Sequence, residues 1–284
     1  MKAAIALAVV FVAYPFVFSN AFYLDIGVAL LLAAISACAW NIVGGYAGQV
    51  SVGHCMFFGV GAYLPLLVYH HWQLPPIVGV PVGIAVSLVL AIVVGMPTFR
   101  LQGHYFSMAT IAVAELIRLV VGTWDFVGAA IGLQGPAVGR GWYDLTFRSE
   151  VPYYYIFLVT LAVLLFITWA IERTRFGYYL RAIKAGERAA RSLGVPVRRT
   201  KLYALMLSAA FTSIAGSLYG PLVGAIILIP LQTATNTWFG GGGTGLTYIL
   251  YGGIIVLIAR FEPGGLHDMW ERIAPKFRRR SDAA

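Results

Sequence analysis

Long apolar runs alternate with short polar or glycine-rich stretches along most of the chain. Eight of these runs come near the ~20 residues a helix needs to cross a bilayer. They lie at 3–18, 26–43, 52–68, 77–96, 104–121, 153–171, 202–229 and 246–259. The pattern predicts an all-α, polytopic helical membrane protein with about eight transmembrane helices. Residues 1–265 form the membrane domain, interrupted by a polar loop at 172–201, and 266–284 form a basic tail. The connecting segments alternate in charge. Lys2, Arg100, the 172–201 loop and the tail fall on one side, whereas 19–25, 69–76 and 232–245 carry no Lys or Arg. The long loop 122–152 joins that second side, with Arg140 and Arg148 set against Asp125, Asp144 and Glu150. Basic loops stay in the cytoplasm, so both termini read as cytoplasmic. A cleaved leader is the lesser reading of 3–18, because Tyr14 and Pro15 interrupt its end and Ser19-Asn20-Ala21 is a poor cleavage site.

Composition agrees with this class. Hydrophobic residues make up 60% of the 284 and charged residues only 11%, against roughly 25% charged in a soluble domain. The net charge of +9 does not point to nucleic acid, because of the 20 basic residues nine lie in the polar loop and six in the C-terminal part. Charges gathered beside apolar spans are topology signals, and those of the tail can also meet anionic lipid. Cys38 and Cys55 both lie in apolar stretches and imply no disulfide.

The polar loop has its own architecture. After Gly177 a helix-forming run extends from 178 to 193, Gly194 stands where a helix C-cap glycine belongs, and Pro196 prevents continuation. Glu187-Arg188-Ala189-Ala190 sits within it. A short helix with small residues at its centre offers a close-packing surface to a soluble partner. The plainer alternative is a solvated basic loop that only sets topology.

Six glycines fall within 41–61 (Gly44, Gly45, Gly48, Gly53, Gly59, Gly61), interspersed with Asn41, Gln49, Ser51 and His54. Glycine loosens a helix, and unwound backbone at membrane depth survives only where protein or a water-filled cavity satisfies it. Broken helices of this kind build transporter sites. The competing reading makes each glycine a small-residue contact between helices. Glu115 and Arg118, three apart on the fifth crossing, read as a mutually neutralising pair ahead of a proton relay.

Other motifs fail. The run 240–245 is glycine-rich, but no Lys follows it as a phosphate-binding loop requires. The chain is therefore expected to bind no ATP and no other cofactor itself. His54 and His104 stand apart from any Cys or Glu at metal-ligand spacing, and His70-His71 beside Trp72 suit an interfacial belt. No catalytic or metal-binding residue is assigned.

The chain resembles the branched-chain amino-acid ABC-transporter permeases, the M-type subunit of the Liv/HAAT group. The resemblance covers about 41–266 and is carried by NIVGGYAGQVSVGHCMFFGVGAY (41–63), RLQGHYFSMATIAVAELIRL (100–119), RAIKAGERAARSLGVPVRRTKLYALMLSAAFTSIAGSLYG (181–220) and FEPGGL (261–266). It implies a permease subunit, not an enzyme, of an ATP-driven importer for branched-chain or other hydrophobic amino acids in a prokaryotic inner membrane. The implied partners are a homologous second permease, two cytoplasmic ATPase subunits that bind the ATP, and a periplasmic or lipid-anchored binding protein. A coupling role falls on Glu187, Ala189, Ala190 and Gly194. The amino-acid route falls on Asn41, Gly45, Gly48, Gln49, Ser51, His54, Ser107, Thr110 and Glu115.

The chain departs from the resemblance after Tyr219, which runs straight into Gly220-Pro221-Leu222-Val223-Gly224. About one crossing and one loop are missing relative to the family pattern. The apolar run 202–229 is then 28 residues, ~42 Å as helix against a ~30 Å core, and Pro221 is expected to kink or break it. Alternative readings are an importer subunit inactive for want of this segment, a urea or amide permease of the same family, and an ion-coupled secondary transporter using Glu115. An intramembrane enzyme using His54 or His104 lacks a second catalytic partner.

Overall fold

The computed structural model describes residues 11–18, 20–101, 103–128 and 149–223, together with 133, 143, 145 and 147. The described residues fall in one compact unit, 1–226, and include no strand. Helix α1, Ala21–Asn41, passes directly into a π-helical turn, Ile42–Tyr46. It is followed by α2, Cys55–Trp72, by α3, Pro76–Thr98, and by α4, His104–Thr123. A short 3₁₀ turn, Asp125–Val127, precedes α5, Glu150–Glu172. Two polar helices come next, α6 (Arg175–Ala185) and α7 (Glu187–Ser192), and the long α8 runs from Val197 to Val223. Residues 11–17 are helical as well.

Local chemistry places the helix ends. Pro76 opens α3 at a position where no N–H is needed. Ser149 accepts the Val151 N–H at 3.2 Å, and Glu150 in the first turn of α5 complements the helix dipole. At the far end of α3 the Arg198 guanidinium donates to the Met96 carbonyl at 3.1 Å, tying the start of α8 to the end of α3.

α8 is the centre of the bundle, packed by α1, α2 and α3. Of its apolar window 56% is buried, against 11% for α4, so α4 lies at the rim. The α2–α8 seam brings backbones together. A Cβ at Gly61 would strike the Ser213 carbonyl, and one at Gly216 would strike that of Phe58. The Ser217 hydroxyl donates to the Gly61 carbonyl at 3.0 Å across the same seam. The small-residue reading thus holds for Gly61, as close approach of two membrane helices demands.

Five described helices are long and apolar enough to cross a membrane: Tyr23–Tyr46, Pro76–Thr98, His104–Thr123, Glu150–Glu172 and Val197–Tyr219. α2 is a further helix of the bundle, its last turn made polar by His70 and His71. Five of the eight expected crossings thus fall on membrane-length apolar helices, and the run expected at 52–68 forms α2. Of the first, 3–18, only 11–18 are described, and 246–259, the tail and the 265/266 boundary lie outside the described residues.

Two expectations need correction. The helix foreseen over 178–193 is two helices, divided where Gly186 adopts extended backbone (φ 175°, ψ 111°). Beyond the break, Ala190 of α7 joins Ile183 of α6 and Val197 of α8 in one small buried apolar cluster. The long run also starts early: α8 begins at Val197, five residues before the expected start, and its described part ends at Val223, so the kink or break expected at Pro221 falls at the limit of the described residues.

Candidate functional site

The polar loop folds into a compact platform on the end of α8. Its C-terminal stop is a Schellman motif, in which the Val195 N–H bonds the Ala190 carbonyl at 3.1 Å and the Gly194 N–H bonds that of Arg191 at 3.0 Å. Gly194 has φ +81°, a left-handed conformation that glycine adopts without penalty. Val195 packs back on the Ala190 cluster, the apolar contact that accompanies this motif.

The side chains of α7 point in different directions. Ala190 is 2% exposed and faces the bundle, so it is part of the seat of α7 rather than of an outward small-residue surface. Ala189 and Leu193 face out, Leu193 at 81% exposure. Glu187 faces sideways onto α8. Its Oε2 receives the Lys201 ammonium at 2.6 Å, and its Oε1 lies 3.5 Å from Arg191. The Lys201 side chain is only 1% exposed, whereas the Arg191 side chain is 68% exposed, so the Lys201 pair is the one shielded from water. The sequence offered no sign of this, since Lys201 reads as the last charge of a topology loop.

The glycine-rich segment is broken as expected. Between the π-helical turn and α2, residues 47–54 are not helical. Their backbone groups are met largely by side chains. Trp40 Nε1 donates to the Ser51 carbonyl at 2.6 Å, and the Ser107 hydroxyl donates to that of Val50 at 2.6 Å. The Thr110 hydroxyl accepts the Val52 N–H at 3.2 Å, while the Gln49 N–H reaches the Val43 carbonyl at 3.0 Å. These bonds supply what unwound backbone inside a membrane protein requires. Gly48 has φ +67°, and a Cβ there would lie 3.3 Å from Lys184 Cγ of α6. The first part of the segment therefore sits beside the platform. The Tyr46 hydroxyl fixes the preceding turn by donating to Glu172 Oε1 at 2.6 Å.

The route residues divide into four groups. Gly48, Gln49 and Ser107 line a cavity of about 230 Å³ together with Val50, Gly103 and His104, where the first turn of α4 opens. Ser51, His54 and Thr110 are buried and serve the wall instead. His54 Nδ1 lies 2.9 Å from Ser51 Oγ, and Nε2 lies 2.8 Å from Ser208 Oγ. The Ser208 hydroxyl gives its own proton to the Ala39 carbonyl at 2.6 Å, so it accepts from Nε2–H. Nδ1 is left to accept from Ser51, giving a neutral imidazole with both nitrogens satisfied. Asn41 is exposed and lies against Gly45, away from the cavity lining. Glu115 is exposed too, held by Arg118 through two bonds of 2.6 and 2.9 Å. Among the described residues no group of His, Cys, Asp and Glu could hold a metal ion.

Apolar membrane-length helices around a segment unwound at 47–54, with a polar helix seated on the central one, define a multi-pass helical membrane protein. The chain belongs to the family described as branched-chain amino acid transport system / permease component, whose model matches residues 22–259. It is 28% identical over 245 residues to the high-affinity branched-chain amino acid transport system permease protein LivM of Escherichia coli K12, covering 78% of this chain and 57% of that protein. The same identity and coverage hold for LivM of Salmonella typhimurium, over 244 residues. A probable branched-chain amino acid transport permease protein LivH of Methanocaldococcus jannaschii is 23% identical over 213 residues, covering 70% of this chain and 67% of the relative. The chain thus spans little more than half the length of the two LivM relatives. No solved structure matches it.

Proposed function

We propose that the chain is the transmembrane permease subunit of an ATP-driven importer for branched-chain or other hydrophobic amino acids, with no catalytic or nucleotide site of its own. The observation that carries this reading is the family match over 22–259 joined to a compact docking platform, α6 and α7, seated on the most buried helix of the bundle. A platform of this kind has a use when a motor is a separate subunit. Two ATPase subunits bind the ATP and press on the outward residues of α7, a homologous permease completes the pore, and a periplasmic or lipid-anchored binding protein delivers substrate. Both termini lie in the cytoplasm of a prokaryotic cell, on the side where the basic platform lies.

The amino acid passes along the broken segment. Gly48, Gln49 and Ser107 border the cavity, and the N–H groups of Gly103 and His104, where α4 opens, suit a carboxylate. At about 230 Å³ the space fits a small solute better than a drug-sized ligand. The ion-coupled alternative rests on Glu115, whose carboxylate is already occupied by Arg118.

The test is affinity purification of the tagged full chain from its own host in mild detergent. A second permease and an ATPase should come with it in fixed ratio. A chain that purifies free of any ATPase, under conditions where its bundle stays folded, would overturn the reading.

A further inference from the structure

The platform and the broken segment are joined through one face of α8. Lys201 and Ser208 are seven residues apart, two helical turns and about 10 Å along the axis. Lys201 holds Glu187, the first residue of α7, at 2.6 Å with its ammonium out of water. Ser208 holds both His54 and the Ala39 carbonyl, at 2.8 and 2.6 Å. His54 in turn holds Ser51, and Ser51 stands two residues beyond the cavity-lining Gln49. On the platform side, extended backbone at Gly186 separates α7 from α6, so α7 is not a rigid continuation of α6. Its polar tie to α8 is the Glu187–Lys201 pair, beside the apolar cluster of Ile183, Ala190 and Val197.

We propose that the Glu187–Lys201 ion pair is the joint that makes α7 and α8 one mechanical body, through which a push on the platform reaches Ser208, His54 and the broken segment at 47–54. Glu187 is then a positioning residue inside this chain rather than a contact offered to a partner. Only the origin of the push rests on the permease reading. The joint belongs to the chain itself. The pair suits such a role because an ion pair shielded from water is stiff in distance and costly to open, whereas the exposed Arg191 pair is neither.

The test is hydrogen–deuterium exchange of the full chain in lipid nanodiscs, comparing wild type with Glu187→Gln, Lys201→Met and the double neutral variant, which leaves no unpaired buried charge. All three variants should speed exchange of peptides spanning 47–54 by about tenfold, while peptides from 209–219 keep wild-type protection. Exchange that changes only within 186–200 would overturn the joint. So would a double neutral variant with wild-type exchange at 47–54, since the single variants would then report only a stranded charge. Should a single variant fail to insert, the double variant carries the measurement. No ATPase is needed for this readout, so a chain without transport activity would count against the permease reading and leave the joint standing.

Discussion

At the scale of single residues, the site is decided by pairings that connect distant parts of the chain. His54 is buried with both ring nitrogens satisfied, and its partner Ser208 lies 154 residues away. Ser208→Ala leaves Nε2–H and the Ala39 carbonyl without that hydroxyl, and should cost about 1–3 kcal/mol of stability. Unfolding in detergent micelles measures the effect, and an unchanged midpoint would mean that the network contributes nothing. His54 was legible in the sequence because it stands among glycines, but its role was not. Helical spacing identifies which residues share a face without naming the helix opposite, so Ser208 could not be found. Lys201 was equally hidden, as one basic residue of nine in the loop. Glu115–Arg118 was fully legible, because an i, i+3 pair is local and needs no fold to bring it together.

At the scale of elements, the direction in which α7 faces separates seat from surface. Ala190→Trp forces bulk into the cluster with Ile183 and Val197, and overpacking of this kind costs about 1–3 kcal/mol. The variant should loosen the platform even in the lone chain, seen as faster amide exchange over 187–192. Wild-type exchange there would place Ala190 on the outer surface after all. Leu193→Asp, at an 81% exposed position, should leave stability unchanged and weaken recovery of the ATPase in affinity purification. Undiminished recovery would show that docking does not use this edge. The helix stop at Gly194 could be read in advance because glycine and the following proline punctuate a helix by their own chemistry. The break at Gly186 could not, since nothing in the local sequence names α8 as the element that Glu187 and Ala190 meet. The unwinding of 47–54 was likewise announced by glycine density. The placement of its first part beside the platform was not, because that depends on neighbours such as Lys184.

At the scale of the whole molecule, apolar run lengths found the five membrane-length helices among the described residues, with shifted ends. The main shift is at α8, which draws Arg198, Arg199 and Lys201 of the basic loop into a membrane helix. Burial of Lys201 against Glu187 makes that extension possible, and no hydropathy pattern carries such information. The central position of α8, the platform seated on its end and the cavity beside the broken segment are what the permease reading needs: a contact for a motor at one end and a space for substrate nearby. The most direct measurement is ATP-driven uptake of labelled leucine into proteoliposomes that contain the full chain, its co-purifying permease and ATPase, and the matching binding protein. Uptake should require ATP and every component, with none from the chain alone. Robust uptake by the chain alone, or a complete complex that hydrolyses ATP without moving any hydrophobic amino acid, would contradict the permease reading.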